Sequence, residues 1–190
     1  MGPRRVITIF GSACPQPDDA DYETARRLGR LLGEAGFALC NGGYGGTMEA
    51  AARGVRDSLH GAAPGNAIAI GVTCDAFLSR RVNPWIDREV TAATLFERIT
   101  RLLELGDAYV VLPGGTGTLL ELAAAWEYIH KGFLSERPIV LLGEHWRGVL
   151  DAVRHDQASP ASPDPLRSVY VRSTPDDCVK LLVELLGRQG

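Results

Sequence analysis

Twice in this chain an apolar strand runs straight into a glycine-rich turn and out again as a helix. Residues 37–40 lead into Asn41-Gly42-Gly43-Tyr44-Gly45-Gly46-Thr47-Met48-Glu49. Residues 108–112 lead through Pro113 into Gly114-Gly115-Thr116-Gly117-Thr118-Leu119-Leu120-Glu121. Both strands are short and apolar on both faces, the mark of a strand covered by helices above and below. The same alternation continues along the chain. Strands are expected at residues 6–10, 37–40, 67–72, 89–94, 108–112, 138–142 and 169–171. Helices are expected at 22–35, 47–56, 95–105, from Thr118 to about 130, at 146–154 and at 176–186. A chain that alternates in this way builds an α/β fold of three layers, with a mostly parallel sheet covered by helices on both faces. Both glycine turns then lie at the carboxyl edge of the sheet, where ligands bind in the crevice at which strand order reverses.

The chain has 190 residues, enough for one domain with a sizeable core, and residues 1–190 are read as a single domain. A net charge of -3 lacks the basic footprint of a nucleic-acid binder. No apolar run approaches the length of a membrane-spanning helix, and residues 6–10 are too short for a signal-peptide core. The expectation is a cytoplasmic protein with reduced thiols. Cys14, Cys40, Cys74 and Cys178 show no paired spacing, and the four histidines are dispersed, so no metal site is expected. Cys40 and Cys178 fall in apolar runs and are read as small core residues. Residues 157–165, dense in Ser, Pro and Asp, are read as a loop.

The second glycine turn carries the chemistry. Gly114, Gly115 and Gly117 let backbone approach a ligand with no Cβ in the way. The helix behind them, read as opening at Thr118, turns its free N–H groups and positive dipole end toward the turn. That is a seat for a phosphate, with Thr116 and Thr118 beside it. The motif lacks the lysine of a Walker A loop and does not fit G-x-G-x-x-G. Glu121 has two readings: it closes a capping box with Thr118, or it faces the ligand and stabilises positive charge on a sugar. Around the first turn, Gly43 and Tyr44 are candidate nucleotide contacts. Tyr44 either stacks on a base or packs on a neighbouring helix. Glu49 is read as a favourable anion in a helical first turn. Arg98 borders the apolar stripe of the 95–105 helix with no carboxylate four residues away, so it either snorkels or clamps phosphate through its planar fork. Arg80, Arg81 and Arg88 either clamp phosphate in the same way or are simply solvated. Glu97 and Arg101 are read as a surface i,i+4 pair.

The run Pro113 to Glu121 reads P-G-G-x-G-T-x-x-E, which resembles the hallmark of the LOG family, often labelled lysine decarboxylase-like. Glu97-Arg98 resembles the E-R motif of that family at the same distance upstream. Gly42 to Ala52 and the opening strand with Gly11-Ser12 are also similar, so the resemblance spans roughly residues 6 to 155. It implies a Rossmann-like homodimer that hydrolyses the N-glycosidic bond of nucleoside 5′-monophosphates, AMP or cytokinin nucleotides, to free base and ribose 5-phosphate. By the same resemblance Arg98 and Glu121 are the catalytic pair, Gly114 to Thr118 hold the phosphate, and no metal or organic cofactor is required. Two departures stand out. Plant-type members carry Met-His-Glu before the arginine and lysine after it, whereas this chain has Leu95-Phe96-Glu97-Arg98-Ile99. The first turn also differs from the commoner Gly-Gly-Gly-x-x-Gly-Leu-Met-Gly. A related branch carries molybdenum cofactor, which is the alternative reading. The decarboxylase label fails on chemistry. Such enzymes hold pyridoxal phosphate on a lysine, and the only lysines, Lys131 and Lys180, lie outside both glycine turns.

Overall fold

The computed structural model describes residues 4–59, 68–77, 79–156 and 166–187. Seven strands form one sheet: β1 (Val6–Phe10), β2 (Ala38–Asn41), β3 (Ala69–Cys74), β4 (Arg88–Ala92), β5 (Ala108–Val111), β6 (Ile139–Leu142) and β7 (Val169–Arg172). The order across the sheet is β4-β3-β2-β1-β5-β6-β7, and every pairing is parallel. The expected α/β class is therefore the observed one. Strands β1, β2, β3, β5 and β6 are buried along nearly their whole length, which explains why their sequences carry no polar alternation.

The helices are α1 (Ala20–Glu34), α2 (Thr47–Asp57), α3 (Leu95–Leu105), α4 (Thr116–His130), α5 (Arg147–Asp156) and α6 (Pro175–Leu186). Helices α1, α2 and α6 cover one face, through Tyr22, Leu28, Leu32, Val55 and Leu182. Helices α3, α4 and α5 cover the other, through Leu102, Leu103, Leu122, Trp126 and Leu150. The two cores make the three layers.

Most boundaries fall within two residues of expectation. One shift matters for function. Helix α4 starts at Thr116, two residues before the expected Thr118, with Gly115 as its N-cap and no side-chain cap bond. Thr118 is thus inside the first turn, and the Thr118–Glu121 capping box, one of the two readings of Glu121, does not form. A capping arrangement exists elsewhere: the Thr94 hydroxyl accepts from the Glu97 amide, and the Glu97 carboxylate accepts from the Ala93 amide at 2.9 Å. At the far end, Lys131 caps α4 and Gly132 takes φ +75°, as the Lys131-Gly132 pair predicts. The expected loop at 157–165 lies outside the described residues.

Strand order reverses at β1. The chain steps outward from β1 to β4, then crosses back to β5 on the other side of β1. The loops after β1 and β5 consequently diverge and open a crevice at their carboxyl ends.

Candidate anion and nucleotide site

That crevice holds a cavity of about 400 Å³, within the roughly 300–1,000 Å³ usual for small-molecule sites. One wall is the loop after β1, Gly11 to Cys14; another is Gly115 to Thr118 with Glu121; a third is Tyr44, Met48, Phe77 and Arg80; and α3 adds Leu95, Arg98 and Ile99.

The glycine turn after β5 is braced from behind. Each carbonyl from Leu112 to Gly115 has its own donor. Trp146 Nε1 donates to Leu112 at 3.1 Å, the Ser12 amide to Pro113 at 3.3 Å, and the Leu119 amide to Gly115 at 3.0 Å. His145 Nε2 lies 3.2 Å from the Gly114 carbonyl, so Nε2 carries the proton. With the carbonyls engaged away from the cavity, the amides of Thr116, Gly117 and Thr118 at the start of α4 have no protein acceptor among the described residues. The Thr118 side chain is 3% exposed, yet its hydroxyl has no hydrogen-bond partner among the described residues. A buried hydroxyl without a partner is costly unless a ligand or water supplies one.

The three glycines of the turn differ in purpose. A Cβ at Gly114 would collide with the Thr118 side chain, so the protein itself requires that glycine. A Cβ at Gly115 or Gly117 would meet nothing within 4 Å, and both residues line the cavity. Packing inside the chain leaves these two glycines unexplained.

Arg98 and Glu121 meet inside this cavity. They come from α3 and α4, and Arg98 Nη1 lies 3.4 Å from Glu121 Oε1. Arg98 is only 6% exposed, so the snorkelling alternative is excluded. Its Nε donates to the Val72 carbonyl at 2.8 Å, and its guanidinium sits over the Tyr44 and Phe77 rings. Gly42 makes the room, because a Cβ there would overlap the guanidinium. Burial pushes the Glu121 carboxyl up to about 7, with the Arg98 charge opposing the shift. Glu121 is therefore poised to gain or lose a proton near neutral pH.

The first glycine turn behaves differently. Gly43 does not line the cavity. It takes φ +75°, its amide donates to Asn41 Oδ1 at 2.8 Å, and its carbonyl accepts from the Asn83 amide at 2.8 Å. Tyr44 does line the cavity, but as buried packing: its hydroxyl accepts from the Cys74 amide at 2.8 Å, and its ring meets Phe77 edge-on. The ring packs against protein and still borders the cavity. Glu49 accepts from the Tyr22 hydroxyl at 3.2 Å. Of the other arginines, Arg80 reaches the cavity, whereas Arg81 and Arg88 do not line it. Among the described residues no group of side chains could hold a metal ion.

Three contributors had little local signal. Phe77 and Arg80 lie in an irregular segment with no periodicity. The 12–14 loop was reachable only through the rule that ligands sit beyond the first strand at a switch point.

Fold and site together define a class: a Rossmann-like α/β protein with a cavity at its topological switch point, lined by the glycine turn that opens α4. Within that class the chain belongs to the SLOG cluster4 family, whose sequence model matches residues 4–165, and it is a divergent LOG-like protein. It is 32% identical over 153 residues to a Mycobacterium tuberculosis protein named cytokinin riboside 5′-monophosphate phosphoribohydrolase, covering 78% of this chain and 75% of that one. A protein of the same name from Rhodococcoides fascians is 27% identical over 156 residues, covering 80% and 75%. Among solved structures, the molybdenum cofactor binding protein from Rippkaea orientalis superposes with a TM-score of 0.74 at 20% identity, over 97% of this chain and 98% of that one.

Proposed function

We propose that this protein hydrolyses the N-glycosidic bond of a nucleoside 5′-monophosphate of the AMP or cytokinin riboside type, releasing free base and ribose 5-phosphate. The observation that carries the reading is the Arg98–Glu121 pair, buried in the same cavity as the unengaged amides of Thr116, Gly117 and Thr118. A 5′-phosphate seated on those amides, with the Thr118 hydroxyl as a further donor, tethers its ribose beside Glu121. As the C1′–N bond breaks, positive charge develops on the ribose. The Glu121 carboxylate stabilises that charge and takes a proton from the attacking water. The water hydroxyl bonds to C1′, and the proton leaves on the base nitrogen. Arg98 holds the carboxylate in place and helps set its proton affinity. No metal or organic cofactor enters these steps.

The names of the Mycobacterium and Rhodococcoides relatives support this reading. The test is incubation with AMP and with cytokinin riboside monophosphates, measuring free base. No release of base, together with AMP binding unchanged in Glu121→Ala, refutes it.

A second reading is a carrier of molybdenum cofactor or a similar phosphorylated ligand. It is favoured by Ile99, a buried apolar residue lining the cavity where plant-type members carry a lysine, and by the likeness of fold to the Rippkaea protein. Tight binding without turnover in calorimetry selects it.

Both readings take the protein to be a cytoplasmic homodimer. Among the described residues no helix is long and apolar enough to cross a membrane. Phe96 and Phe133 are about three-quarters exposed, and Leu119, Leu120 and Tyr128 are exposed on α4, which gives a second copy an apolar surface to cover. Sedimentation at micromolar concentration reads the mass.

A further inference from the structure

We propose that Arg80 is a specificity-determining residue of this cavity, one that selects phosphorylated ligands over their unphosphorylated counterparts. The inference rests on the nucleotide reading above and assigns it a second, independent source of anion affinity. Arg80 lines the cavity from the irregular segment between β3 and β4. Its guanidinium carbon lies 5.5 Å from the Tyr44 ring centroid and 5.4 Å from that of Phe77. Arg98 lies over the same two rings, at 5.5 and 5.9 Å. The two aromatic faces thus hold two cations at one cavity.

Their partners differ. Arg98 is paired with Glu121. Arg80 has no carboxylate partner among the described residues, whereas nine other described arginines have one. Its backbone is anchored, since the Arg80 amide donates to the Phe77 carbonyl at 2.9 Å. Asn83 then pins the following residues to the first glycine turn, through its amide to Gly43 and its side chain to Tyr44 at 2.9 Å. Arg80 is therefore a charge tethered by its backbone and by two rings at the cavity, with its side-chain donors unclaimed among the described residues.

The charge balance names the ligand class. Two guanidiniums face one carboxylate, which burial keeps partly protonated near neutrality. The cavity carries excess positive charge in a protein whose net charge is -3. A phosphomonoester, with about -1.5 to -2 charge at pH 7, matches that excess. A neutral nucleoside does not. The planar fork of arginine suits a phosphate better than a lysine ammonium does.

The experiment compares parent, Arg80→Met and Arg80→Lys, with AMP, adenosine and inorganic phosphate as probes, by calorimetry and by base release. Arg80→Met is expected to weaken AMP and phosphate binding roughly 10- to 100-fold, the size of a lost charge-assisted hydrogen bond. The loss falls on KM and not on kcat, adenosine binding is unchanged, and Arg80→Lys recovers part of the affinity. The salt dependence of AMP binding flattens in Arg80→Met. If Arg80→Met stays folded and binds AMP and phosphate as the parent does, Arg80 has no such role and the inference is overturned. If the parent binds inorganic phosphate in an Arg80-dependent way but neither binds nor cleaves AMP, the anion role of Arg80 stands and the nucleotide reading fails.

Discussion

Replacing Glu121 by glutamine should change how stability depends on pH, with a sign set by burial. In the folded chain the Glu121 carboxyl titrates at about 7, against 4.5 for an unperturbed glutamate, and desolvation is the main cause. Between these values the folded state keeps a proton that the unfolded state releases. The unfolding free energy then falls as pH rises, by up to about 1.4 kcal/mol per pH unit, because the native state binds more protons. Summed across the window, the parent loses about 3 kcal/mol between pH 4.5 and 7, and the loss stays constant at higher pH. Only 13% of the side chain is exposed, so solvent screening removes little of this. Glutamine cannot titrate. The stability of Glu121→Gln relative to the parent should therefore climb by about 3 kcal/mol from pH 4.5 to 7.5 and then level off. All other titrating groups are common to both proteins and cancel. Urea unfolding of the two proteins at unit pH steps from 4.5 to 8.5 measures the difference directly. A difference that is flat across this range, or that falls with pH, refutes the claim that burial dominates the Arg98 charge at this site.

Gly117→Ala should keep the fold and gain about 0.5–1 kcal/mol of stability from helix propensity, since its Cβ meets no protein atom; AMP titration should nonetheless show a marked loss of affinity. Gly114→Ala should do the reverse in the thermal melt, losing stability by collision with Thr118. Thr118→Val removes a buried hydroxyl without a partner among the described residues, so its melting temperature should hold or rise while AMP affinity falls roughly 5- to 20-fold. Gly42→Ala should displace the Arg98 guanidinium; base release should drop at least as far as in Arg98→Ala, and equal turnover in Gly42→Ala and parent would remove Arg98 from the mechanism.

Much of the fold was legible because strand and helix signals are local. Continuous apolar runs at β1, β2, β3, β5 and β6 announced a doubly covered parallel sheet, and α3 begins and ends where its periodicity places it. The start of α4 was misread by two residues. Thr118 looks like an N-cap from its spacing to Glu121, but Gly115 occupies that position and the Thr118 side chain packs over Gly114. Close helix contacts were not legible at all. Gly29 and Gly54 let α1 and α2 approach until a Cβ at either would strike the backbone of the other helix, and nothing in their local sequence distinguishes them from tolerated glycines.

By itself, the order of residues determined the layered α/β architecture and the bare amides of the turn after Pro113, while the resemblance to the LOG family singled out Glu121 and Arg98. Those are properties of backbone conformation and residue type over a few consecutive positions. Only the three-dimensional arrangement decided that Arg98 faces Glu121 across a gap of 3.4 Å, that the Tyr44 ring packs against Phe77 at the cavity edge, and that Arg80 joins the cavity from a segment with no pattern of its own. A side chain's partner depends on which strands lie side by side. Here the chain runs out to β4 and returns past β1 to β5, and that crossing brings α3 and α4 to one crevice.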